Sequence, residues 1–314
     1  MNCINQVKDY VNILITGDFC PVNRTENLAM SKNIDLVFND FVDVLQGNDL
    51  NIIDLECPLT STNEARLKTG PHQKASPECI DILKYGHINV VTMANNHIMD
   101  YGSIGAKETI ELCKHNGIVT IGIGDSPVTA ASPYLVTIRE RRMAIFNYAD
   151  NEFITSSDGQ MHANVIDPVR CFSEIRSIRD QVDFVLVIIH GGNEFYELPS
   201  PRTKKLYRYI VEIGADAVVA HHTHAFSGFE VYRSKPIFYG LGNFIYDWPG
   251  KINSRWNHGY CVRLRISDSA EFELIPLKQS NEKPGIFHMG AEESLRFNKE
   301  IERLNSIIQD DSML

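Results

Sequence analysis

Short runs rich in valine and isoleucine recur along most of the chain. They are VNILIT (11–16), NIID (51–54), NVVTM (89–93), DFVLV (183–187) and ADAVV (215–219). A continuous apolar run of this length, without strict alternation, is typical of a strand that is buried on both faces. The pattern therefore predicts a largely parallel sheet in the protein interior.

Segments with helical signals separate these strands. The first helix is predicted to begin at Ser31 and to end at Gly47, because Ile34, Phe38, Phe41 and Leu45 recur at helical spacing. The serine–proline pairs that begin at residues 76 and 200 are typical helix starts. Further helices are predicted at about 103–115, 169–181 and 291–309.

Later segments have the pattern of antiparallel hairpins. PYLVTI and RMAIFNYA flank the turn RERR (139–142) and are predicted to form a hairpin. FEVYR and PIFYG are predicted as two further strands, and CVRLRI with FELIPL as a late antiparallel pair. A parallel core with late hairpins indicates an α/β fold, in which two sheets pack together between helices. We expect one domain over residues 1–314, with the strands and helix of 260–310 packed on it.

Composition narrows the class of protein. The net charge of −10 over 314 residues argues against a general nucleic-acid binder. No apolar stretch approaches the roughly 20 residues of a membrane span, so no membrane anchor is expected. The seven cysteines show no CxxC pair, which favours a reduced, cytoplasmic setting.

Five polar clusters follow the predicted strands directly. They are GDFCP (17–21), DLECPLT (54–60), ANNHIMDYG (94–102), IIHGGNEF (188–195) and AHHTH (220–224). In an open α/β sheet, ligands bind outside the carboxyl ends of the strands. We therefore expect the carboxylates, amides and imidazoles of these clusters to gather at one rim of the sheet.

This ligand chemistry suits two divalent metal ions. Mixed carboxylate, amide and imidazole ligands favour Mn, Fe or Zn over Ca or Mg. Glu56 has two oxygens and can bridge the ions, and in an extended turn His222 and His224 would each face one ion. The predicted metal ligands are Asp18, Glu56, Asn96, His190, His222 and His224.

A catalytic pair is predicted beside the metal ligands. His97 follows Asn96 and is placed to act as a general acid on the leaving group, while Asp100 can fix its tautomer and orientation. Each residue alone also fits a structural role as a turn former, helix cap or hydrogen-bonded histidine. Cys20 can be a thiolate ligand or a buried thiol.

These motifs, in this order, resemble the bacterial capsule-synthesis or poly-γ-glutamate-synthesis branch of the calcineurin-like metallophosphoesterase superfamily. The resemblance spans residues 17–247. It implies a four-layer α/β/β/α sandwich and the metal and acid roles given above. The wider superfamily usually has an aspartate where Glu56 stands and a histidine where Cys20 stands. Glu194 and Asn243 lie in family loops, where they shape the pocket or only hold the loop.

Three functions follow as hypotheses. The first is a metal-dependent phosphoesterase linked to capsule, polysaccharide or poly-γ-glutamate synthesis. The second is an amide or peptide hydrolase that uses the same metal site, and the third is a non-catalytic accessory protein of polymer synthesis. The expected partner is a small-molecule or polymer substrate, phosphorylated or γ-glutamyl in the first two cases.

Overall fold

Two mixed sheets form the centre of the molecule. The computed structural model describes residues 10–248, 250–251 and 255–312. The strands are β1 Val11–Cys20, β2 Leu50–Leu55, β3 Val90–Thr92, β4 Val119–Ile121, β5 Ile123–Gly124, β6 Tyr134–Ile138, β7 Arg141–Ala149, β8 His162–Ala163, β9 Phe184–His190, β10 Ala217–His221, β11 Phe229–Tyr232, β12 Lys235–Phe238, β13 Asn243–Tyr246, β14 His258–Ile266, β15 Ala270–Gln279 and β16 Ile286–His288. The helices are α1 Arg24–Met30, α2 Asp35–Phe38, α3 Val42–Leu45, α4 Ile80–Tyr85, α5 Gly102–His115, α6 Pro127–Ala131, α7 Pro168–Arg179, α8 Pro201–Glu212 and α9 Ala291–Gln309.

The first sheet has the strand order β16-β15-β14-β1-β2-β3-β4, with β13 also paired to β1. The strands β1 to β4 run parallel, and β14 to β16 are antiparallel. The second sheet has the order β11-β12-β10-β9-β7-β6. The two predicted antiparallel pairs are confirmed, since β6 pairs β7 and β14 pairs β15. The strands β11 and β12 are present as predicted, and they also pair in antiparallel register.

Three clusters of buried apolar side chains lie on the faces of these sheets. Successive residues of a strand point to opposite faces. In β1, Leu14 therefore packs in the same cluster as Phe38 and Leu83 of the helices, whereas Ile13 and Ile15 pack with strands of the second sheet. The second sheet shows the same alternation, and its outer face packs on α7 and α8.

The predicted continuous helix from Ser31 to Gly47 is wrong. Ser31 ends α1, a helix that the sequence pattern did not indicate, and a new helix begins at Asp35. Asn39 then takes a φ of 48°, which is incompatible with a continuous α-helix, and its side-chain amide donates to the carbonyl of Leu36 at 2.8 Å. The apolar positions of this segment are nevertheless buried in one cluster. They are presented to it by α2, by a 3₁₀ turn at Asn39–Phe41 and by α3.

The C-terminal elements continue this architecture. β14 pairs with β1 along residues 11–15, and the predicted helix is present as α9. Its residues Phe297, Ile301, Leu304 and Ile308 are buried, as their spacing predicted. Within the described ranges, no helix has both the length and the hydropathy that crossing a bilayer requires.

Candidate metal centre

The candidate centre lies where the two sheets meet. Strands of the first sheet lead to Asp18, Glu56 and Asn96, and strands of the second lead to the three histidines. The expectation of a single sheet rim is therefore wrong, because β9 and β10 belong to the second sheet. The two halves are in contact: His190 Nε2 lies 3.0 Å from Asn96 Oδ1, and His224 Nδ1 lies 3.2 Å from Asp18 Oδ2.

A bulge in β1 positions Asp18. The strand does not end before this residue, but its register shifts at Asp18 relative to its neighbours. A Cβ on Gly17 would lie 2.0 Å from the carbonyl oxygen of Gly242, so the close approach of the two backbones requires glycine. The Asp18 amide donates to that carbonyl at 3.1 Å, and its Oδ1 accepts from the amide of His222 at 3.1 Å.

The potential ligand atoms form two buried groups. Within the described part of the chain, one group is Glu56, His222 and His224, and the other is Asp18, Asp54 and His190. The atoms of each group lie within 4.8 Å of one another. The sequence placed His222 and His224 towards different ions, whereas the structure brings both to Glu56.

The backbone at these two histidines is strained. The φ angles are 86° at His222 and 51° at His224, so the predicted extended turn is wrong. Residues other than glycine adopt such angles rarely, and strain of this kind concentrates at functional sites.

Several polar atoms of the centre lack the partners that burial normally requires. Glu56 Oε1 lies 3.4 Å from His224 Nε2 and 3.9 Å from His190 Nε2, yet neither Glu56 oxygen accepts a hydrogen bond. Asp18 Oδ2 and His222 Nδ1 are also buried without a hydrogen bond. Buried polar groups are rarely left unsatisfied. A cation between carboxylate and imidazole ligands would satisfy them, so the residues fit a divalent metal.

The electrostatics of the centre favour bound cations. Burial lowers the pKa of His190, but Asp54, Glu56 and Asp18 outweigh it and raise the pKa to about 9. Burial also opposes protonation of His224, and Glu56 and Asp18 again raise its pKa well above the usual value. Burial lowers the pKa of His222, as do the charges of His190 and His224. The carboxylates of the centre thus favour positive charge beside them, on His190 and His224 when no cation is bound.

Metal affinity is expected to rise with pH up to about 9, because His190 and His224 must release protons before they bind a cation. Calorimetry in two buffers of different ionisation enthalpy should show proton release on zinc binding. The same raised pKa values stabilise the metal-free fold fully below about pH 6.5, and this contribution is lost as the pH rises through about 9. Affinity that is independent of pH would contradict the prediction.

Asp54 is a site residue that the sequence reasoning missed. Its Oδ2 lies 3.0 Å from His190 Nδ1, and its Oδ1 accepts from Thr92 Oγ1 at 2.8 Å. This contact leaves His190 Nε2 directed at Asn96 and Glu56. The sequence did contain a signal for Asp54, since it lies two residues before the predicted ligand Glu56. Residues two apart on a strand share a face.

Asp54→Asn should weaken metal binding by about 10- to 100-fold, because a carboxylate that orients a ligating histidine contributes about that much. Competition with a chromophoric chelator measures the change. Asp216→Asn is the matched control, since Asp216 is also buried but pairs with Arg179 before the start of β10. Equal affinities for wild type and Asp54→Asn would exclude an orienting role.

The predicted catalytic pair is in contact. His97 Nδ1 lies 2.7 Å from Asp100 Oδ2. The side chain of Asn95 fixes the turn, since its Oδ1 accepts from the amides of His97 and Ile98, and its Nδ2 donates to the carbonyl of Leu55. With the Nδ1 hydrogen directed at Asp100, His97 Nε2 is left for chemistry.

The remaining candidates differ in position. Asn243 Nδ2 donates to the carbonyl of Trp256 at 3.0 Å, so its Oδ1 faces His224 Nδ1 at 2.9 Å and orients that ring. Cys20 is buried and lies outside both ligand groups, and burial, Cys57 and Glu56 raise its pKa well above the usual value. Glu194 is exposed in the loop after β9.

Comparison with known proteins places these motifs in a family. The family described as "Bacterial capsule synthesis protein PGA_cap" matches residues 12–248. The chain is 26% identical over 284 residues to "Capsule biosynthesis protein CapA" of Bacillus anthracis, covering 87% of this chain and 69% of that protein. It is 27% identical over 274 residues to "PGA biosynthesis protein CapA" of Bacillus subtilis (strain 168), covering 86% and 72%.

A solved structure shares the fold. A hypothetical protein from Thermus thermophilus aligns with a TM-score of 0.51 at 14% identity, covering 84% of this chain and 99% of that one. The likeness shows a common mixed α/β architecture.

Proposed function

The chain belongs to the bacterial capsule synthesis protein family, and from this membership we propose that it is a metal-dependent hydrolase of the phosphoesterase type, acting in capsule, polysaccharide or poly-γ-glutamate synthesis. One observation carries the proposal: two buried ligand groups, with unsatisfied oxygens at Glu56, adjoin an oriented His97–Asp100 pair. Burying unpaired carboxylates costs free energy, so an arrangement that served only the core would not favour it. Groups of this kind cluster at functional sites.

We propose that the fold is the four-layer α/β/β/α sandwich of the metallophosphoesterases, in one domain. The three apolar clusters support this layering, since one joins helices to the first sheet, one joins the sheets, and one joins the second sheet to α7 and α8.

Glu56, His222 and His224 would hold one divalent ion. Asp18 and His190 of the second group would hold the other together with Asn96, while Asp54 orients His190 through Nδ1. Mn, Fe and Zn are the candidates. When bound, such ions polarise phosphoryl oxygens and lower the pKa of a coordinated water. His97 Nε2 donates the proton to the leaving oxygen, while Asp100 holds the hydrogen at Nδ1. The low exposure of these side chains limits competing water at the leaving group.

The test has two parts. Elemental analysis of protein purified without chelator or nickel resin should give about two equivalents of Mn, Fe or Zn per chain. The loaded protein is then assayed on aryl and alkyl phosphate mono- and diesters. Metal-dependent turnover of an ester supports the proposal, whereas a fully loaded protein that cleaves none of them contradicts it.

Cleavage of a γ-glutamyl amide bond is the second candidate. The names of two relatives direct attention to a glutamyl polymer, since one is a "PGA biosynthesis protein" and one a "Probable polyglutamine synthesis accessory protein" of Mycobacterium tuberculosis, although both names describe synthesis. The same ligands can activate water towards a carbonyl carbon. γ-Glutamyl peptides in the same assay separate the two reactions, and a protein that binds no metal after reconstitution indicates an accessory role.

We propose a small-molecule or polymer substrate and no nucleic-acid partner, in line with the net charge of −10. A cytoplasmic location is also a proposal. It is supported by the free thiols of the six cysteines in the described ranges.

A further inference from the structure

A lysine from an otherwise exposed loop reaches the catalytic pair. Residues 61–75 connect β2 to α4 without helix or strand, and most of them are exposed. Leu67 is 99% exposed, whereas the side chain of the next residue, Lys68, is only 2% exposed. Burying an ammonium group is costly unless it is paired. The inward position of Lys68 therefore requires a specific partner.

That partner is Asp100. Lys68 Nζ forms an ion pair with Asp100 Oδ1, and both side chains are buried. The same loop makes two more contacts with this residue: the amide of Gln73 donates to Asp100 Oδ2 at 2.7 Å, and the amide of Arg66 donates to the Asp100 carbonyl at 2.9 Å. The loop thus contacts Asp100 at three atoms: both carboxylate oxygens and the backbone carbonyl oxygen.

Lys68 Nζ lies closer to the Asp100 carboxylate than to the His97 ring. Lys68 Nζ lies 3.3 Å from His97 Nδ1, but that nitrogen is only 2.7 Å from Asp100 Oδ2. The shorter contact takes the Nδ1 hydrogen, and a nitrogen that carries a hydrogen offers no lone pair to an ammonium group. Lys68 therefore interacts with this pair through its charge, in the ion pair with Asp100 Oδ1.

A second loop covers this arrangement. Arg66 Nη1 donates to the carbonyls of Phe153 and Thr155 at 2.8 and 2.9 Å, and Lys68 Nζ lies 5.2 Å from the centre of the Phe153 ring. These contacts keep water away from the ion pair, which strengthens it.

We propose that Lys68 is a positioning residue for the acid His97: by fixing both the place and the rotation of the Asp100 carboxylate, it holds the imidazole at the angle that proton donation requires. Nothing in the sequence pattern pointed to this residue. The proposal rests on the proposed function, because it assigns His97 the role of acid.

The test compares Lys68→Met with Lys68→Arg in the metal-loaded enzyme. Lys68→Met keeps the length of the side chain but removes its charge, and should lower kcat for an alkyl phosphate by about 10²-fold, since misplacing a catalytic group costs about that much. KM and metal content should change little. p-Nitrophenyl phosphate should be affected less, because its leaving group needs no proton. Lys68→Arg should recover part of the loss.

Two comparisons separate positioning from stability. Lys74→Met is the matched control, because Lys74 is in the same loop but bonds Thr62 and Asn63 at 2.5 and 2.8 Å. The double variant His97→Ala with Lys68→Met should be no slower than His97→Ala alone, since both changes remove one function. Equal losses on both phosphates, additive losses in the double variant, or the same loss in Lys74→Met would overturn the proposal.

A measurement without turnover distinguishes this proposal from the proposed function. Long-range ¹H–¹⁵N spectra of the zinc-loaded protein report the Nδ1–H of His97 directly. In Lys68→Met this hydrogen should exchange faster, while Lys68→Arg should resemble wild type. Unchanged exchange in a folded Lys68→Met protein would refute positioning, whether or not any phosphate ester is cleaved.

Discussion

Replacing Glu56 with glutamine is expected to remove at least one metal ion and to lower turnover by roughly 10³-fold or more, because bound ions contribute several kcal/mol of transition-state stabilisation. Both Glu56 oxygens are buried and accept no hydrogen bond, so the carboxylate is positioned for a cation. An amide keeps the shape but loses the negative charge. Elemental analysis and initial rates measure the two effects.

The same variant should also change the stability that metal provides. A ligand that binds only the folded state stabilises it by RT ln(1 + L/Kd) at free ligand concentration L, so tighter binding gives a larger stabilisation. We therefore expect zinc to raise the melting temperature of wild type clearly and that of Glu56→Gln much less. Glu174→Gln is the control, because Glu174 lies on α7 and accepts hydrogen bonds from Tyr148 of β7 and Arg170 of α7. Equal metal content in wild type and Glu56→Gln would refute the ligand role of Glu56.

His97→Ala is expected to lower kcat by about 10²- to 10⁴-fold, the usual contribution of a general acid. Metal content should remain near that of wild type, because His97 lies in neither ligand group. The loss should grow with the pKa of the leaving group, since poor leaving groups depend most on protonation. Rates on a series of aryl and alkyl phosphates measure this dependence.

The exposed His115 provides the control for His97. Its Nδ1 contacts the carbonyl of Glu111 on α5, so His115→Ala should retain full turnover. If His97→Ala turned over alkyl phosphates at the wild-type rate, the acid would have to be another group. If the variant lost its metal, His97 would act as a ligand or as a support for one.

Much of the fold follows from local patterns. The parallel strands, two antiparallel strand pairs and α9 were predicted, because runs of β-branched residues and repeated apolar positions depend on the chain alone. The segment from Ser31 to Gly47 was predicted wrongly, since its apolar positions fit one continuous helix as well as they fit several short helical turns. Asn39 at positive φ and its bond to Leu36 break that helix, and no periodicity records such a break.

The sequence by itself determined which chemistry this protein presents. Carboxylates, an amide and imidazoles follow buried strands, and an Asn–His pair adjoins them, because strand ends are where an α/β chain can expose polar groups to a common site. It also indicated the hydrogen bond of His97 with Asp100, since the two are only three residues apart.

The tertiary structure alone decided which of these residues meet. The packing of two sheets brings His190 to Asn96 and Asp54, residues that are 94 and 136 positions away in the chain. It also groups His222 with His224 at Glu56, and it buries Lys68 against Asp100 from a loop without periodicity. Contacts of this kind depend on how separate elements pack. The residue pattern within one element carries no information about which residue of another element will lie beside it.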